Sequence, residues 1–258
     1  MRKLALLLAA IVMLCSCERP FLAGYNETKT FAVGQFTKLD VENAINVIFT
    51  DEVSTVEATA DANILPYLKV MVYEGTLKMK LCKRILINTG DITVKVPYQS
   101  RLDEVDLAGA SSFESVAGLT ADELSIDLSG ASTFTASVSA RKIDMELSGA
   151  SKVFCDSIIA TEAIDIEASG ASVMTLTGTA PVVDAELSGA SELISVKTDG
   201  VYAFSCNRVE AEFSGASKAW LHCNESINGR LSGGSMIRYT GNATGGCNCS
   251  GGSTVIHE

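Results

Sequence analysis

The phrase Leu-Ser-Gly-Ala-Ser and its near-copies recur eight times along this chain. Successive central glycines are 21, 19, 21, 19, 26, 18 and 18 residues apart. A period near 20 residues indicates a solenoid in which each repeat forms one coil. An active site is used once, so this repetition indicates architecture rather than chemistry. The eight central glycines are Gly109, Gly130, Gly149, Gly170, Gly189, Gly215, Gly233 and Gly251.

The residues that flank each glycine predict β-strands. Before Gly149, the stretch 143–147 alternates apolar and acidic residues, which is typical of a strand with one buried and one solvated face. The residue four positions after each glycine is mostly apolar, which predicts a second strand. A coil of strand, turn, strand and second turn fits this period, whereas a strand plus a helix is too long. We therefore predict an all-β fold, a single-stranded parallel β-helix or solenoid.

Glycine at the centre of each phrase is expected to adopt positive φ, and the small Ala and Ser neighbours are expected to let the turns stack. The serine hydroxyls are expected to bond one another or turn amides along the stack. The alternative interpretation, a serine nucleophile, lacks a histidine or acid that accompanies each copy. Residues 24–105 lack the phrase but keep alternating strands, with a short helical or irregular excursion over 61–68. We predict one domain, 24–258, with an irregular part 24–105 and regular repeats 106–258.

The N-terminus has the features of a bacterial export signal. Arg2 and Lys3 precede the apolar run 4–14, which is too short for a stable transmembrane anchor. The run ends in Leu-Cys-Ser-Cys, which indicates a lipobox with Cys17 as the acylated residue. The alternative is an ordinary secretory signal that contains cysteines. We predict a signal peptide over 1–16, a lipidated tether over 17–23, and a cell-envelope location, as an outer-membrane lipoprotein.

The composition excludes several classes of function. The formal net charge of −11 argues against nucleic acid or an anionic membrane surface as a partner. Only two histidines occur, His222 and His257, and they lie far from any Cys-x-x-Cys motif, so zinc chemistry and histidine-dependent catalysis have little material. We expect no cofactor, no resident metal and no catalytic residue.

The train of Ser-Gly-Ala-Ser turns, together with the stretches 41–47, 60–63 and 75–77, resembles the "putative auto-transporter adhesin, head GIN domain" family of exported bacterial proteins. The Gly-Ile-Asn of the family's name stands here as Ala44-Ile45-Asn46. The resemblance covers nearly all of the mature chain. It implies a right-handed β-helix without catalytic residues, an adhesive role with a host or glycan ligand, and a homo-oligomer, a trimer.

Acidic residues recur three and five positions before the glycines, and coils in register would stack them on one outer face. Like charges about 5 Å apart in water repel by about 0.8 kcal/mol per pair. One interpretation is a surface that binds cations or a cationic partner. The other is a solvated face that keeps the sheet soluble and unpaired. The candidate residues are Asp127, Asp144, Glu146, Asp165, Glu167, Asp184, Glu186, Glu210 and Glu212.

Two interruptions of the pattern are further candidates. The 26-residue interval around 197–202 is either a longer surface loop or a binding site contacted by Tyr202 and Arg208. We interpret the cysteines as structural. Cys155, Cys247 and Cys249 are at inward positions of the repeat, and Cys206 and Cys223 are close enough in adjacent coils to form a disulfide.

We predict a non-catalytic envelope lipoprotein with an adhesion or surface-interaction role. The alternatives are a polysaccharide lyase or hydrolase on a β-helix scaffold, which predicts a unique acidic cluster in a groove, and a structural envelope protein that binds copies of itself.

Overall fold

The computed structural model describes residues 22–82, 91–98 and 101–258. These residues form an all-β fold with 23 strands and one 3-10 helix, Leu65–Tyr67, and no α-helix. The strands of the N-terminal part are β1 (Asn26–Phe31), β2 (Lys38–Val41), β3 (Ile45–Thr50), β4 (Val56–Asp61), β5 (Leu68–Tyr73), β6 (Thr76–Leu81), β7 (Ile92–Pro97) and β8 (Glu104–Leu107).

The remaining strands carry the repeated phrase. They are β9 (Ser112–Ser115), β10 (Leu119–Thr120), β11 (Glu123–Leu128), β12 (Thr133–Thr135), β13 (Val138–Leu147), β14 (Lys152–Ala168), β15 (Val173–Leu187), β16 (Glu192–Ile194), β17 (Lys197–Thr198), β18 (Val201–Tyr202), β19 (Phe204–Phe213), β20 (Lys218–Leu231), β21 (Met236–Thr240), β22 (Cys247–Cys249) and β23 (Thr254–His257).

Successive repeats pair in parallel, coil upon coil. The segments before the turn glycines form one column, in which β8, β11, β13, β14, β15, β19, β20 and β22 follow one another. The segments after the glycines form a second column, from β9 and β12 to β21 and β23. We call these the pre-turn column and the post-turn column. The predicted alternation of strand and tight turn is therefore confirmed.

Each coil also contains a third strand position that the sequence analysis did not predict. β10 pairs with the start of β13, and the middle parts of β14, β15 and β20 and the start of β19 continue this column. The long strands thus pass through two or three columns, and register shifts mark the bends between them. The columns join into one sheet of 21 strands, which includes the N-terminal strands.

The turn glycines are held by bonds between coils. The amide of Ala171 donates to the carbonyl of Gly149 at 2.7 Å, and the amide of Ala190 donates to Gly170 at the same distance. Gly170 has φ of 77°, and a Cβ on it would lie 2.4 Å from the Gly149 carbonyl oxygen. Glycine is therefore required both by the left-handed backbone and by the close approach of the preceding coil.

The last serine of each phrase closes its own turn. The buried hydroxyl of Ser172 donates to the carbonyl of Ser169 at 2.9 Å, and Ser151 bonds Ser148 in the same way at 2.8 Å. No bond between the hydroxyls of equivalent serines is described, because the last serine of a phrase donates within its own turn and the first donates to the preceding coil, as Ser169 does to the Leu147 carbonyl at 3.4 Å. The other expected bond, with a turn amide, occurs in the last coil, where the Ser235 amide donates to the Ser253 hydroxyl at 3.1 Å. The bond within the turn satisfies a buried hydroxyl at the seven corners from Ser111 to Ser235.

The inward side chains form apolar ladders along the stack. The residues four after the glycines are buried from Phe113 to Ile237, as predicted. The rings of Phe113 and Phe134 stack with centroids 5.3 Å apart, and Phe49 continues the row at 5.9 Å from Phe113. The narrow interior is therefore filled by side chains from every coil, and each coil buries its apolar face only against its neighbours.

The N-terminal part departs from the expected parallel winding. β2 and β3 continue the two columns in parallel, against β8 and β9. Beyond them, β5 pairs antiparallel with β6, and β1 and β7 both pair antiparallel with β4. The helix Leu65–Tyr67 joins β4 to β5 within the predicted excursion. The outermost strands are thus β5 and β1, and antiparallel pairing replaces the parallel winding at this end.

Among the residues described, no helix has the length and apolar character needed to cross a membrane.

Candidate functional site: an acidic face

The acidic residues of the repeats stack on the outer side of the pre-turn column. We call the residues three before each glycine the first ladder and those five before it the second ladder. Strand register places each carboxylate opposite its counterpart in the next coil. The first ladder runs Asp106, Asp127, Glu146, Glu167, Glu186 and Glu212, and the second runs Glu104, Ser125, Asp144, Asp165, Asp184 and Glu210. Together they form the acidic face.

A groove follows the first ladder along the stack. Its volume is about 700 Å³, and one wall consists of the carboxylates from Asp106 to Glu212. The other wall consists of turn serines, including Ser148, Ser169 and Ser188. From the coil of Asp127 to that of Glu212, each coil thus contributes one acid and one serine hydroxyl to an extended groove.

Basic residues lie at both ends of the first ladder. At the N-terminal end, Asp40 stacks on Asp106, and Lys78 of β6 donates to the Asp40 carboxylate at 2.9 Å. At the C-terminal end, the Arg230 guanidinium lies 3.8 Å from Glu212. Within the described chain, no lysine or arginine lies within ion-pair distance of the five central members. These are Asp106, Asp127, Glu146, Glu167 and Glu186.

The second ladder is partly neutralised within the structure. The Lys142 ammonium lies 3.2 Å from Asp144 and 2.7 Å from Asp165, and both carboxylates raise the pKa of that lysine. Lys38 forms the corresponding ion pair with Glu104 at 2.5 Å. The free negative charge of the acidic face is therefore concentrated in the first ladder.

Stacking makes some of these carboxyls harder to ionise. Burial, followed by the charges of Asp40 and Asp127, raises the pKa of Asp106 to about 6. Burial also raises the pKa of Asp127 and of Asp184, and neighbouring carboxylates add to both effects. Asp106 therefore carries its proton up to a higher pH than an ordinary aspartate.

Three residues of the acidic face were missed by the sequence analysis. Asp40 extends the first ladder by one coil, Lys78 ends it, and Lys142 bridges the second. Asp40 had a sequence signal, because 39–41 alternates as Leu-Asp-Val, like the segments before the glycines. The alternation over 77–81 predicted that Lys78 points outward, but its ion-pair partner depends on how the N-terminal strands pair. Lys142 had no signal, since its position depends on how a long side chain turns.

The insertion around 197–202 is bonded to the last residue, Glu258. β17 and β18 make a two-stranded antiparallel hairpin. The Glu258 carboxylate accepts bonds from the Lys197 ammonium and the Tyr202 hydroxyl, both at 2.9 Å, and from Arg238 at 2.7 Å. These three donors lower the pKa of Glu258 to about 2.

The two residues that we predicted to contact a ligand at the insertion lie in different environments. Tyr202 is buried and bonds Glu258, whereas Arg208 is exposed on β19, opposite Val182 and Ser226 of the adjacent strands. The structure describes no contact between Tyr202 and Arg208, so this pair is not brought together as one site.

The cysteines agree only partly with their predicted positions. Cys155 is buried in the core, and this burial raises the pKa of its thiol to about 12. Cys206 and Cys223 lie opposite each other on β19 and β20, and the structure describes them as free thiols rather than a disulfide. Cys249 was predicted to point into the core but is exposed, because no described strand pairs with the far side of β22. Cys247 is half-buried.

Cys17, the predicted signal peptide over 1–16 and the beginning of the predicted tether over 17–23 lie outside the described residues. Within the described part of the chain, no three His, Cys, Asp or Glu side chains converge as a set of metal ligands.

Comparison with known proteins identifies the family. The "putative auto-transporter adhesin, head GIN domain" family matches residues 35–158 and 154–243, which together span most of the sequence. The chain belongs to this family. No curated protein matches it.

Solved structures share the fold of this head GIN domain protein. A "putative adhesin" from Parabacteroides merdae ATCC 43184 has 20% identity and a TM-score of 0.82, over 92% of this chain and 98% of that one. A "putative lipid binding protein" from Parabacteroides distasonis ATCC 8503 has 15% identity, a TM-score of 0.77 and the same coverage. A "putative adhesin" from that organism has 20% identity and a TM-score of 0.78, also over 92% and 98%. At these identities, the likeness is one of fold alone.

The family's Gly-Ile-Asn motif has a structural meaning in this head GIN domain protein. Residues 42–44 form the turn between β2 and β3, in the place that Ser-Gly-Ala-Ser turns take in later coils. Asn43 and Ala44 adopt φ of 73° and 58°, which favours glycine. Asn46 accepts a bond from the Ser112 hydroxyl of the next coil at 2.5 Å. Ala44 therefore bears a strain that the family's glycine would relieve.

Proposed function

We propose that this protein is a lipid-anchored component of the bacterial cell envelope that binds partners at a surface and has no catalytic role. The observation that carries this proposal is the acidic face, in which ionised side chains without cationic partners line a groove over several coils. Family membership supports an adhesion-type role and an envelope location. The acid and hydroxyl contributed by each coil offer a partner the same pair of contacts repeatedly.

The proposed organisation follows the sequence analysis. Residues 1–16 are a signal peptide, Cys17 is acylated, 17–23 tether the protein to the outer membrane, and 24–258 form one domain. The coils wind as a right-handed β-helix. Support for this handedness comes from the parallel pairing of successive coils, because connections between parallel strands of one sheet are right-handed in almost all proteins.

The proposed ligand is a partner that presents several positive charges in a row. Carboxylates at strand spacing, about 4.8 Å apart, create a linear negative potential, and a groove with low-dielectric walls concentrates it. A host protein or an amine-bearing glycan would supply such charges, and divalent cations would compete for the same carboxylates. The net charge of −11 disfavours nucleic acid. The family resemblance adds a homo-oligomer, a trimer, to this proposal.

The experiment removes three charges from the groove. The variant Glu146→Gln/Glu167→Gln/Glu186→Gln is expected to lose most binding to immobilised polylysine and to any positive on a glycan array, and wild-type binding is expected to weaken with salt and calcium. A matched control removes three exposed acids that do not line the groove, through Glu114→Gln/Asp156→Asn/Glu225→Gln. An equal loss of binding in both variants would show that net charge, and not the groove, is responsible for binding. If neither the wild type nor the variants bound, the proposal would be contradicted.

The alternative, a polysaccharide lyase or hydrolase, has one observation in its favour. Asp106 has a pKa of about 6 and lies in the groove between Asp40 and Asp127, an arrangement that general acid catalysis uses. Release of reducing ends or unsaturated products from polysaccharides, abolished by Asp106→Asn, would favour this alternative. The absence of any product, with binding retained, would favour the adhesive role.

A further inference from the structure

The chain enters the fold at a fixed point on the N-terminal end of the stack, the end formed by β1, β5 and β6. The carboxylate of Asp61, at the end of β4, accepts bonds from the backbone amides of Ala23 and Gly24, both at 3.0 Å. It also accepts one from the amide of Asn63 at 2.9 Å, and these bonds lower its pKa. Residues 23 and 24 are therefore attached to the body of the protein before β1 begins.

The distance from this clamp to Cys17 is short. Ala23 lies six positions after Cys17, and a fully extended chain spans at most about 3.6 Å per residue, or about 22 Å over these six steps. If Cys17 is acylated, as the proposed function requires, the N-terminal end of the stack lies within that distance of the lipid headgroups. The rest of the stack then extends away from the membrane or lies along it.

Exposed apolar side chains are concentrated at this same end. In the described part of the chain, six large apolar side chains are at least half exposed. Four of these six belong to the N-terminal end, at Leu22, Tyr25, Met71 and Tyr73, with exposures of 54%, 59%, 50% and 57%. Tyrosine is enriched at membrane–water interfaces, where its ring lies among the headgroups and its hydroxyl stays wet.

The lysines of the chain are also unusually frequent here. The net charge of the whole chain, −11, disfavours an anionic membrane, but the charge at this end differs. β1, β5 and β6, with the turn between β5 and β6, carry four lysines, Lys29, Lys69, Lys78 and Lys80, against two acids, Glu27 and Glu74. Lys69 lies opposite Lys80, and Met71 lies opposite Lys78, so lysines and exposed apolar residues share the outer face of the β5–β6 hairpin. Lys78 and Lys80 are in ion pairs with Asp40 and Glu42, whereas none is described for Lys29 or Lys69.

We infer that the N-terminal end of the stack is a membrane-contacting surface, which rests on the headgroup layer of the bilayer that holds the lipid anchor. Tyr25, Met71 and Tyr73 enter the interfacial layer, and Lys29 and Lys69 meet the phosphates of anionic lipids. A lipid surface fits better than a second copy of the chain, because the short tether holds this end near the bilayer and because anionic headgroups match its lysines. This inference rests on the proposed lipid anchor and adds to it the orientation of the protein.

The test uses tryptophan as a depth reporter in the full-length, lipidated chain. The only native tryptophan, Trp220 on β20, lies nine strands from β1, the outermost strand of its column, which is about 43 Å at 4.8 Å per strand. It therefore serves as an internal control. The variant Tyr73→Trp/Trp220→Phe is reconstituted into vesicles of phosphatidylcholine, with and without phosphatidylglycerol, that contain a headgroup spin-labelled lipid. We expect several-fold stronger quenching of the tryptophan at position 73 than of native Trp220, and stronger quenching with phosphatidylglycerol.

A charge variant examines the lysines separately. In the same reporter background, Lys29→Gln/Lys69→Gln is expected to remove the effect of phosphatidylglycerol. The control, Lys152→Gln/Arg208→Gln, removes two exposed cations from the middle of the stack and is expected to leave it unchanged.

The outcomes separate this inference from the proposed anchor. Loss of palmitate incorporation and vesicle flotation in Cys17→Ala supports the anchor. If the wild type also fails to incorporate palmitate and to float, both proposals are wrong. If it floats but the tryptophan at position 73 is quenched no more than Trp220, the anchor stands and the membrane contact is wrong. A tryptophan at position 73 that is shielded from acrylamide but not quenched by the spin-labelled lipid would also overturn the inference, since another protein surface would then cover it.

Discussion

The regular coils and the N-terminal part build the turn between the pre-turn and post-turn columns in different ways. In the coils, each turn has glycine at its centre, and a Cβ on Gly130 would lie 2.4 Å from the carbonyl oxygen of Gly109. In the N-terminal part, Asn43 and Ala44 form the equivalent turn with positive φ. Where the two regions meet, a Cβ on Gly109 would lie no closer than 3.6 Å to Asn43. The comparison shows that turns pack most closely where glycine turns stack on one another, and that the left-handed conformation alone tolerates other residues.

The largest expected effect comes from placing a methyl group inside the stacked turns. Gly170→Ala should lower the free energy of unfolding by about 3 to 5 kcal/mol, because it combines left-handed strain with overlap against the preceding coil. Gly75→Ala is the matched control, since Gly75 has φ of 75° and no atom within 4 Å of the added Cβ. It should cost only about 1 kcal/mol. Urea denaturation of both variants measures the difference, and equal costs would show that conformation rather than stacking requires the glycine.

A smaller effect is expected at Asp106, where the N-terminal part and the regular coils meet. Its folded pKa of about 6 lies above the ordinary aspartate value of 3.8, so the folded state binds the proton more tightly than the unfolded state does. Its contribution to stability is therefore present below pH 4 and is lost as the pH rises through about 6. Asp106→Asn should remove this loss and stabilise the protein at pH 7.5 by about 1 kcal/mol, since the side chain remains partly solvated.

Thermal unfolding of wild type and Asp106→Asn from pH 4 to pH 8 measures this effect. Glu114→Gln, at an exposed position outside the ladders, is the control and should leave the pH profile unchanged. A wild-type stability that rises between pH 4 and pH 6, with no change in slope in Asp106→Asn, would contradict the effect of stacked carboxylates.

The smallest expected effect is a stabilisation in the N-terminal part. Ala44→Gly restores the family's Gly-Ile-Asn and relieves the left-handed strain at φ of 58°. The relief is partly offset by the greater entropy of glycine in the unfolded chain, so the gain should be about 0.5 kcal/mol. Equilibrium unfolding in urea measures it, with Ala60→Gly in β4 as a control that should destabilise. A loss of stability in Ala44→Gly would show that the Ala44 methyl contributes packing at this turn.

The fold of the regular coils was predictable because one pattern is repeated with the same spacing. The alternation around Gly149 and the apolar residue four positions later specify strand, face and turn in each coil. The stacking of Glu146 on Glu167 follows once the coils are in register. The third strand position was missed because its segments, such as Leu119–Thr120, are too short for a periodic signal.

The N-terminal part and the ends of the acidic face were less predictable. Alternation identified β2, β6 and β7 as strands, but it is the same for parallel and antiparallel neighbours. The antiparallel pairing of β5 with β6 had only one local signal, the two-residue turn Glu74-Gly75, in which both residues have positive φ. The ion pairs of Lys78 and Lys142 depend on that pairing and on side-chain direction. Cys249 shows a different error, because periodicity predicts that it is buried, whereas it is exposed and no described strand pairs with the far side of β22.

The bonds between the turns also give the stack an electrical direction. Six Gly–Ala peptides, from 109–110 to 215–216, are joined by five bonds of 2.7 Å, each from an alanine amide to the glycine carbonyl of the preceding coil. The peptide dipoles, each about 3.5 D, therefore point the same way along the axis, as they do in an α-helix. The positive end of this row faces the N-terminal strands, and the negative end faces the last coils. The stacked turns thus add a positive electrostatic potential at the N-terminal end of the stack, where the lysines lie.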